Sequence, residues 1–393
     1  MDKQAREGDN RNMLPQLPPP TVITTQAQLA RLVTILEKAG RFALDTESDS
    51  MYAYHYKICL IQISTATEDY IIDTLALRAL EPLGQLVQRE AIEITMHAAE
   101  NDVLLLNKDF GWTFGHLFDT LWGARILGWQ HPGLASILRE EFGVELDKKM
   151  QRTDWGKRPL TERQLAYARF DTHYLLDLRD MIEHALHQAG RWPEAQEVFD
   201  ELRSIRWHKK PQPTIWRLNG ARDLEPHQQA VLNALFQWRE QRASQRDVPP
   251  YRILRNDVLL ALAQALPKNE RHLMRVPGVP RRLPAHLARK LAGIIRRAQQ
   301  DEPPAFPARR SVGPRPDEHA QARYEALRQW RARTANARGV EVDVVMTNNT
   351  LMTIARANPQ NRAALAELAV LGPWKLQTYG NSILQTLNQA TKT

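Results

Sequence analysis

Cysteine is almost absent. The 393 residues hold one, Cys59, so no internal disulfide can form. That excludes a disulfide-stapled scaffold and fits a reducing compartment. Long apolar runs are missing too: no stretch approaches the roughly 20 apolar residues of a membrane helix. The opening, MDKQAREGDNRNMLPQLPPP, is polar and proline-rich and lacks the apolar run of a secretory signal. Strand-forming patterns become rare after residue 205. From these absences we expect a soluble cytoplasmic protein with no membrane contact.

What is present suffices for a sizeable core. At 43% hydrophobic and 25% charged residues the composition is that of an ordinary globular protein, and the length predicts two or three domains. The net charge of +8 is unevenly spread: residues 1–210 sum to −6 and residues 211–393 to +14. A basic half can grip a phosphate backbone. An acidic half beside it makes sense in a nucleic-acid enzyme if some of the carboxylates hold metal. A solvated basic surface on a helical domain is the plainer alternative.

From residue 21 to about 205, strand-like and helix-like segments alternate. Strands are predicted at 41–44, leading into an acidic cluster, and at 58–64 (ICLIQIS), 70–73 (YIID) and 92–96, with a turn at 65–69. Helices are predicted at 101–108, 120–127 and 134–142. A long one is expected from Thr161 to about Ala189, with Thr161 and Gln164 suited to its start. Strands first and then mostly helices point to a mixed α/β domain with a central sheet.

Behind it the chain repeats itself. Ala234-Leu235-Phe236-Gln237-Trp238-Arg239 returns as Ala326-Leu327-Arg328-Gln329-Trp330-Arg331, an offset of 92 residues that also pairs Asn256 with Asn348 and Leu259 with Leu351. The register then slips, so that Val276-Pro277-Gly278 corresponds to Leu371-Gly372-Pro373. Two related helical domains follow the front one. The expected organisation is a tail at 1–20, the α/β domain at 21–207, a linker at 208–220, a helical domain at 221–300, a Pro/Arg-rich linker at 301–317 and a second helical domain at 318–393.

Three acidic signals stand out. Asp45-Thr46-Glu47 ends an apolar strand, where residues i and i+2 share a face. Two carboxylates side by side repel unless a cation lies between them, and oxygen ligands suit Mg²⁺ or Mn²⁺; a polar strand end facing solvent is the alternative. Asp102 follows a strand and opens the run Val103–Leu106, where a helix N-terminal acid is also favoured by the dipole. Tyr167 and Asp171 lie four apart, on one face of the expected long helix, a pattern that an ordinary amphipathic helix shares.

Taken together, their order and spacing resemble the three exonuclease motifs of the DEDD superfamily in its tyrosine-containing subgroup. Asp45 and Glu47 match the first motif, Asp102 the second, Tyr167 and Asp171 the third. The segments Lys149-Met150-Gln151-Arg152-Thr153-Asp154-Trp155, Arg158-Pro159-Leu160 and Gln164-Leu165-Ala166-Tyr167-Ala168 are similar to the ribonuclease D family, as is Asp119-Thr120. The repeated back domains look like HRDC domains. The likeness covers nearly the whole chain apart from the first twenty residues and the linkers.

The resemblance implies a ribonuclease H-like exonuclease domain, with a central mixed sheet flanked by helices, followed by two all-α HRDC-like domains. It implies a 3′-to-5′ exoribonuclease releasing nucleoside 5′-monophosphates through two divalent ions, Mg²⁺ or Mn²⁺. Asp45, Glu47 and Asp171 would hold one ion, Asp45 and Asp102 the other, and Tyr167 would orient the attacking water. It also implies RNA as the partner, such as a tRNA precursor with a 3′ extension; a monomer is expected. A DNA exonuclease and a non-catalytic RNA-binding scaffold are the competing readings. Trp155 and Phe42 are weighed as base-stacking contacts against core residues, His97 is expected to be a structural histidine, and the basic runs 271–297 and 323–338 are candidates for phosphate contact.

Overall fold

The computed structural model describes residues 17–146, 149–209, 211–306 and 318–390. Residues 1–16 of the expected tail, 307–317 of the expected second linker and the last three residues of the chain lie outside the described residues. The rest cluster into two compact units. Among the described residues, the first draws on 17–48, 58–207 and 318–390, the second on 49–57 and 208–306.

The first unit contains a six-stranded mixed sheet: β1 (Thr21–Ile23), β2 (Arg41–Ser48), β3 (Ile58–Ser64), β4 (Asp69–Asp73), β5 (Glu93–Met96) and β6 (His116–Asp119). The strand order is β1-β4-β3-β2-β5-β6. β2 pairs antiparallel with β3 and parallel with β5, so the strand carrying Asp45 and Glu47 lies inside the sheet, held on both edges. β3 is buried along its whole length. This explains its nearly continuous apolar sequence, which marks a strand covered on both faces.

The helices of this domain are α1 (Gln26–Ala39), α2 (Glu81–Val87), α3 (Glu100–Phe110), α4 (Thr120–Leu127), α5 (Leu134–Phe142), α6 (Glu162–Phe170), α7 (Leu175–Gln188) and α8 (Trp192–Arg203). Leu29, Leu32 and Leu36 of α1 join Phe42 and Leu44 of β2 and Ile182 and Leu186 of α7 in one core. The start predicted for α6 is present as a capping box: the Thr161 hydroxyl accepts from the Gln164 backbone, and the Gln164 side chain accepts from the Thr161 backbone.

The single long helix expected from Thr161 to Ala189 is two helices, α6 and α7, separated at residues 171–174. The break sequence Asp-Thr-His is poor in helix formers. Its side chains bond to the sheet instead: the Thr172 hydroxyl meets that of Ser64 at 2.7 Å, and the His173 ring meets the Asp69 carboxylate at 2.9 Å. Periodicity alone does not reveal such a break, because the apolar pattern runs through it.

The repeat is real at the level of helices. Pro226–Arg246 in the second unit matches Glu318–Arg338 in the first, and Asn256–Ala265 matches Asn348–Ala357, each pair equal in length and offset by 92. Ala285–Ala298 matches Pro373–Ala390 only after the slip. The recurring Trp-Arg pair has a structural cause. Arg239 donates to the Leu254 carbonyl and Arg331 to the Met346 carbonyl, both from buried positions. Each guanidinium thus ties the long helix of its copy to the chain fifteen residues further on.

In the first unit, the second repeat docks on α8. The Arg338 guanidinium forks onto the Glu194 carboxylate and also meets the Tyr379 hydroxyl. Glu197 accepts the backbone N–H of Trp374 and Lys375. Arg323, Arg331 and Arg338 are therefore engaged inside the protein, Arg323 donating to the Ala355 carbonyl. Three arginines of the run 323–338 are removed from the candidates for phosphate contact.

Candidate active site

A cleft of about 450 Å³ opens at the end of β2. Asp45 and Glu47 line it together, as the two-residue strand period requires. Asp45 lies opposite Gln62 of β3, and Glu47 opposite Leu60. Tyr167, in the last turn of α6, and Asp171, its C-cap residue, form a further wall. Asp171 sits just past the helix rather than inside one. Its backbone keeps helical angles (φ −69°, ψ −18°), so the two side chains still share a face. The Tyr167 hydroxyl hydrogen-bonds to the Asp171 carboxylate, and the Gln151 side chain bonds to Tyr167.

Asp102 lies in the first turn of α3, but its carboxylate accepts from the Thr46 hydroxyl and does not line the cleft. It acts on the site through its charge. Burial raises Asp45 well above the usual carboxylate range, and Asp102, Asp171 and Glu47 raise it further. Burial, then Asp171 and Asp102, push Glu47 up to about 9. Burial lifts Asp171 to about 8 against the Tyr167 hydrogen bond, with Asp102 adding to the rise. Burial lifts Asp102 to about 6, opposed by Thr46. The Tyr167 phenol also rises, through burial and then Asp171 and Glu47, which rules it out as a base near neutral pH.

Four carboxylates that raise one another's pKa are a donor set for hard, oxygen-loving cations, since a cation relieves both the repulsion and the burial cost. Among the described residues no three acidic, histidine or cysteine side chains already form a closed metal cage. The set fits a divalent ion in its donor chemistry.

The remaining walls come from residues that the motif pattern does not single out, among them Ala98, Gly133, Leu134, Ala135, Ser136, Leu146 and Gln151. Gln151 stands within a segment quoted above for its resemblance. The others carry no signal in composition or period, because chain crossings bring them to the cleft. His97 lines the cleft as well. Trp155 and Phe42 do not: both are core, Trp155 packed behind Tyr167 with ring centroids 6.2 Å apart. Neither can stack a base.

Comparison with known proteins places these features in a family. A 3′-5′ exonuclease domain matches residues 20–187, and HRDC domains match 228–295 and 320–387. Ribonuclease D of Gluconacetobacter diazotrophicus is 30% identical over 266 residues, which cover 67% of this chain and 68% of that one. This chain belongs to the ribonuclease D family. The family generally uses divalent metal ions. Exosome complex component 10 of Mus musculus is 36% identical over 256 residues, covering 62% of this chain and 29% of its own. The chain thus spans about three tenths of the length of that relative. Among solved structures, the catalytic core of RRP6 from Trypanosoma brucei superposes with a TM-score of 0.64 at 30% identity, covering 71% of this chain and 79% of that one. The exonuclease match covers the sheet domain, and the HRDC matches cover the two helical repeats.

Proposed function

We propose that this chain shortens RNA from its 3′ end, hydrolysing one phosphodiester at a time and releasing nucleoside 5′-monophosphates. The observation that carries the reading is the cleft in which Asp45, Glu47, Tyr167 and Asp171 meet, with Asp102 adding its charge, inside a ribonuclease D chain. Asp45, Glu47 and Asp171 would hold one divalent ion, Mg²⁺ or Mn²⁺, and Asp45 would contact a second, which Asp102 would reach directly or through water. When bound, such ions neutralise the charge of the scissile phosphate and supply a nucleophile near neutral pH. Tyr167, kept protonated by its surroundings and held by Asp171 and Gln151, orients the attacking water by a hydrogen bond. The neutral phenol suits orientation, and a base would need the opposite pKa shift.

The substrate class is a structured RNA with a short single-stranded 3′ tail, such as a tRNA precursor, in the cytoplasm, with the protein as a monomer. On this reading the tail is single-stranded where it enters the site. Arg271, Arg275, Arg281, Arg282, Arg296 and Arg297 of the first helical repeat are exposed, and they supply positive charge for the RNA body.

The experiment is degradation of a 5′-labelled tRNA bearing a 3′ extension. A ladder shortening from the 3′ end is expected, dependent on Mg²⁺ or Mn²⁺ and lost with chelator and in Asp45→Ala, while that variant still binds RNA. Degradation of single-stranded DNA alone moves the substrate to DNA. Binding without cleavage makes the chain a scaffold.

A further inference from the structure

The turn leaving β5 holds His97 by an unusual construction. Ala98 has φ of +62°, a left-handed conformation that a residue with a Cβ adopts only when held. The holder is Asp119, fully buried at the start of α4. Its carboxylate accepts the backbone N–H of Ala98 at 3.3 Å, of Ala99 at 2.7 Å and of Trp122 at 2.9 Å. Thr120, the next residue, reaches the imidazole. Its hydroxyl donates to the Met96 carbonyl at 3.1 Å and lies 2.9 Å from Nδ1 of His97. A hydroxyl has one proton and a carbonyl only accepts. The Thr120 proton is therefore committed to Met96, and the ring must donate from Nδ1. That leaves Nε2 as a bare acceptor, with no hydrogen-bond partner among the described residues. Burial pushes the His97 pKa down to about 4, so the ring stays neutral at physiological pH.

The expected structural role of His97 is thus half of what it does. The ring also lines the cleft with Asp45 and Glu47. A lone pair there repels phosphate oxygens, which carry no proton, and calls for a ligand group that donates. Base edges differ in their donors, whereas the sugar hydroxyls occur in every nucleotide and suit an enzyme that trims without reading sequence.

We propose that Nε2 of His97 accepts a hydrogen bond from a ribose hydroxyl of the 3′-terminal nucleotide, which makes His97 a residue that selects the sugar. The inference rests on the exoribonuclease reading. Asp119 and Thr120 are positioning residues: Asp119 sets the turn and Thr120 sets the tautomer.

The test compares three oligoribonucleotides that differ only in the last sugar: ribose, 2′-deoxyribose or 3′-deoxyribose. kcat/KM for each is measured with the wild-type protein, His97→Leu and Thr120→Val. Ratios between substrates within one preparation cancel any loss of folded fraction. The wild type is expected to cut one of the deoxy ends roughly five- to tenfold more slowly, the worth of a single neutral hydrogen bond. His97→Leu should bring that ratio to within about twofold, and Thr120→Val should narrow it part of the way. A penalty at the 2′ position means that His97 favours RNA over DNA; a penalty at the 3′ position means that it reads the chain end. If His97→Leu is inactive, the same three ends are ranked by binding in chelator. Equal use of all three ends by the wild type, or a preference that survives His97→Leu, overturns the proposal and leaves the exoribonuclease reading intact. Failure of the wild type to cut any of them overturns both.

Discussion

Replacing Glu47 by glutamine should stabilise the metal-free protein while removing its activity, and the effect should grow with pH. The carboxyl titrates near 4.5 in an unfolded chain and is pushed up to about 9 in the folded one, first by burial and then by Asp171 and Asp102. Above pH 4.5 the unfolded chain has released this proton while the folded chain keeps it. The folded state binds more protons, so stability is highest below 4.5 and falls as pH rises towards 9. Each unit costs about 1.36 kcal/mol, which for an isolated group would reach about 3 kcal/mol by pH 7. Asp45 and Asp171 share the cleft and the repulsion, so deleting one acid should recover about 1–2 kcal/mol. Glutamine keeps the shape and never ionises. Thermal unfolding in chelator, followed from pH 5 to pH 9, should give nearly equal midpoints at pH 5 and a variant a few degrees more stable at pH 8. Saturating Mg²⁺ should then raise the wild-type midpoint more than that of the variant, since binding stabilises the state that binds. A midpoint difference that does not change with pH, or a variant less stable at pH 9, would refute the charge-crowding account.

Two further substitutions probe the frame around the site. Arg338→Met leaves Glu194, 1% exposed, without its guanidinium, and should cost about 2–4 kcal/mol in chemical denaturation; adding Glu194→Leu should restore most of it, and a single variant as stable as wild type would show that the pair contributes nothing. Asp119→Ala strips three backbone N–H groups of their shared acceptor, so a loss of about 2–4 kcal/mol with a parallel fall in activity is expected, and an unchanged midpoint would remove Asp119 as the holder of the turn.

Much of the site is legible in the sequence. The strand period put Asp45 and Glu47 on one face, and the spacing of four put Tyr167 and Asp171 on another, because these relations depend on backbone geometry that every strand and helix shares. The 92-residue offset announced two related helical modules for the same reason: copies of a sequence fold into copies of a structure. Short strands escape the sequence reading, and so do the longer helices α1 and α8. β1 and β6 are three and four residues long, too brief for a period to emerge, and the break between α6 and α7 is made by side chains bonding to a sheet that lies far away in sequence.

The division of labour is clearest at the cleft. By itself, the sequence determined which side chains carry charge, their local faces, the family motifs and the duplication, all of which follow from residue identity and near-neighbour spacing. Tertiary structure alone decided that Asp102 turns to Thr46, that Trp155 supports Tyr167 from the core and that Arg338 of the second repeat clamps α8. It also decided that His97 lines the cleft with its Nδ1 bonded to Thr120. Each of these depends on which distant segment arrives opposite, and on the burial that sets whether a charge, a proton or a lone pair is favoured there.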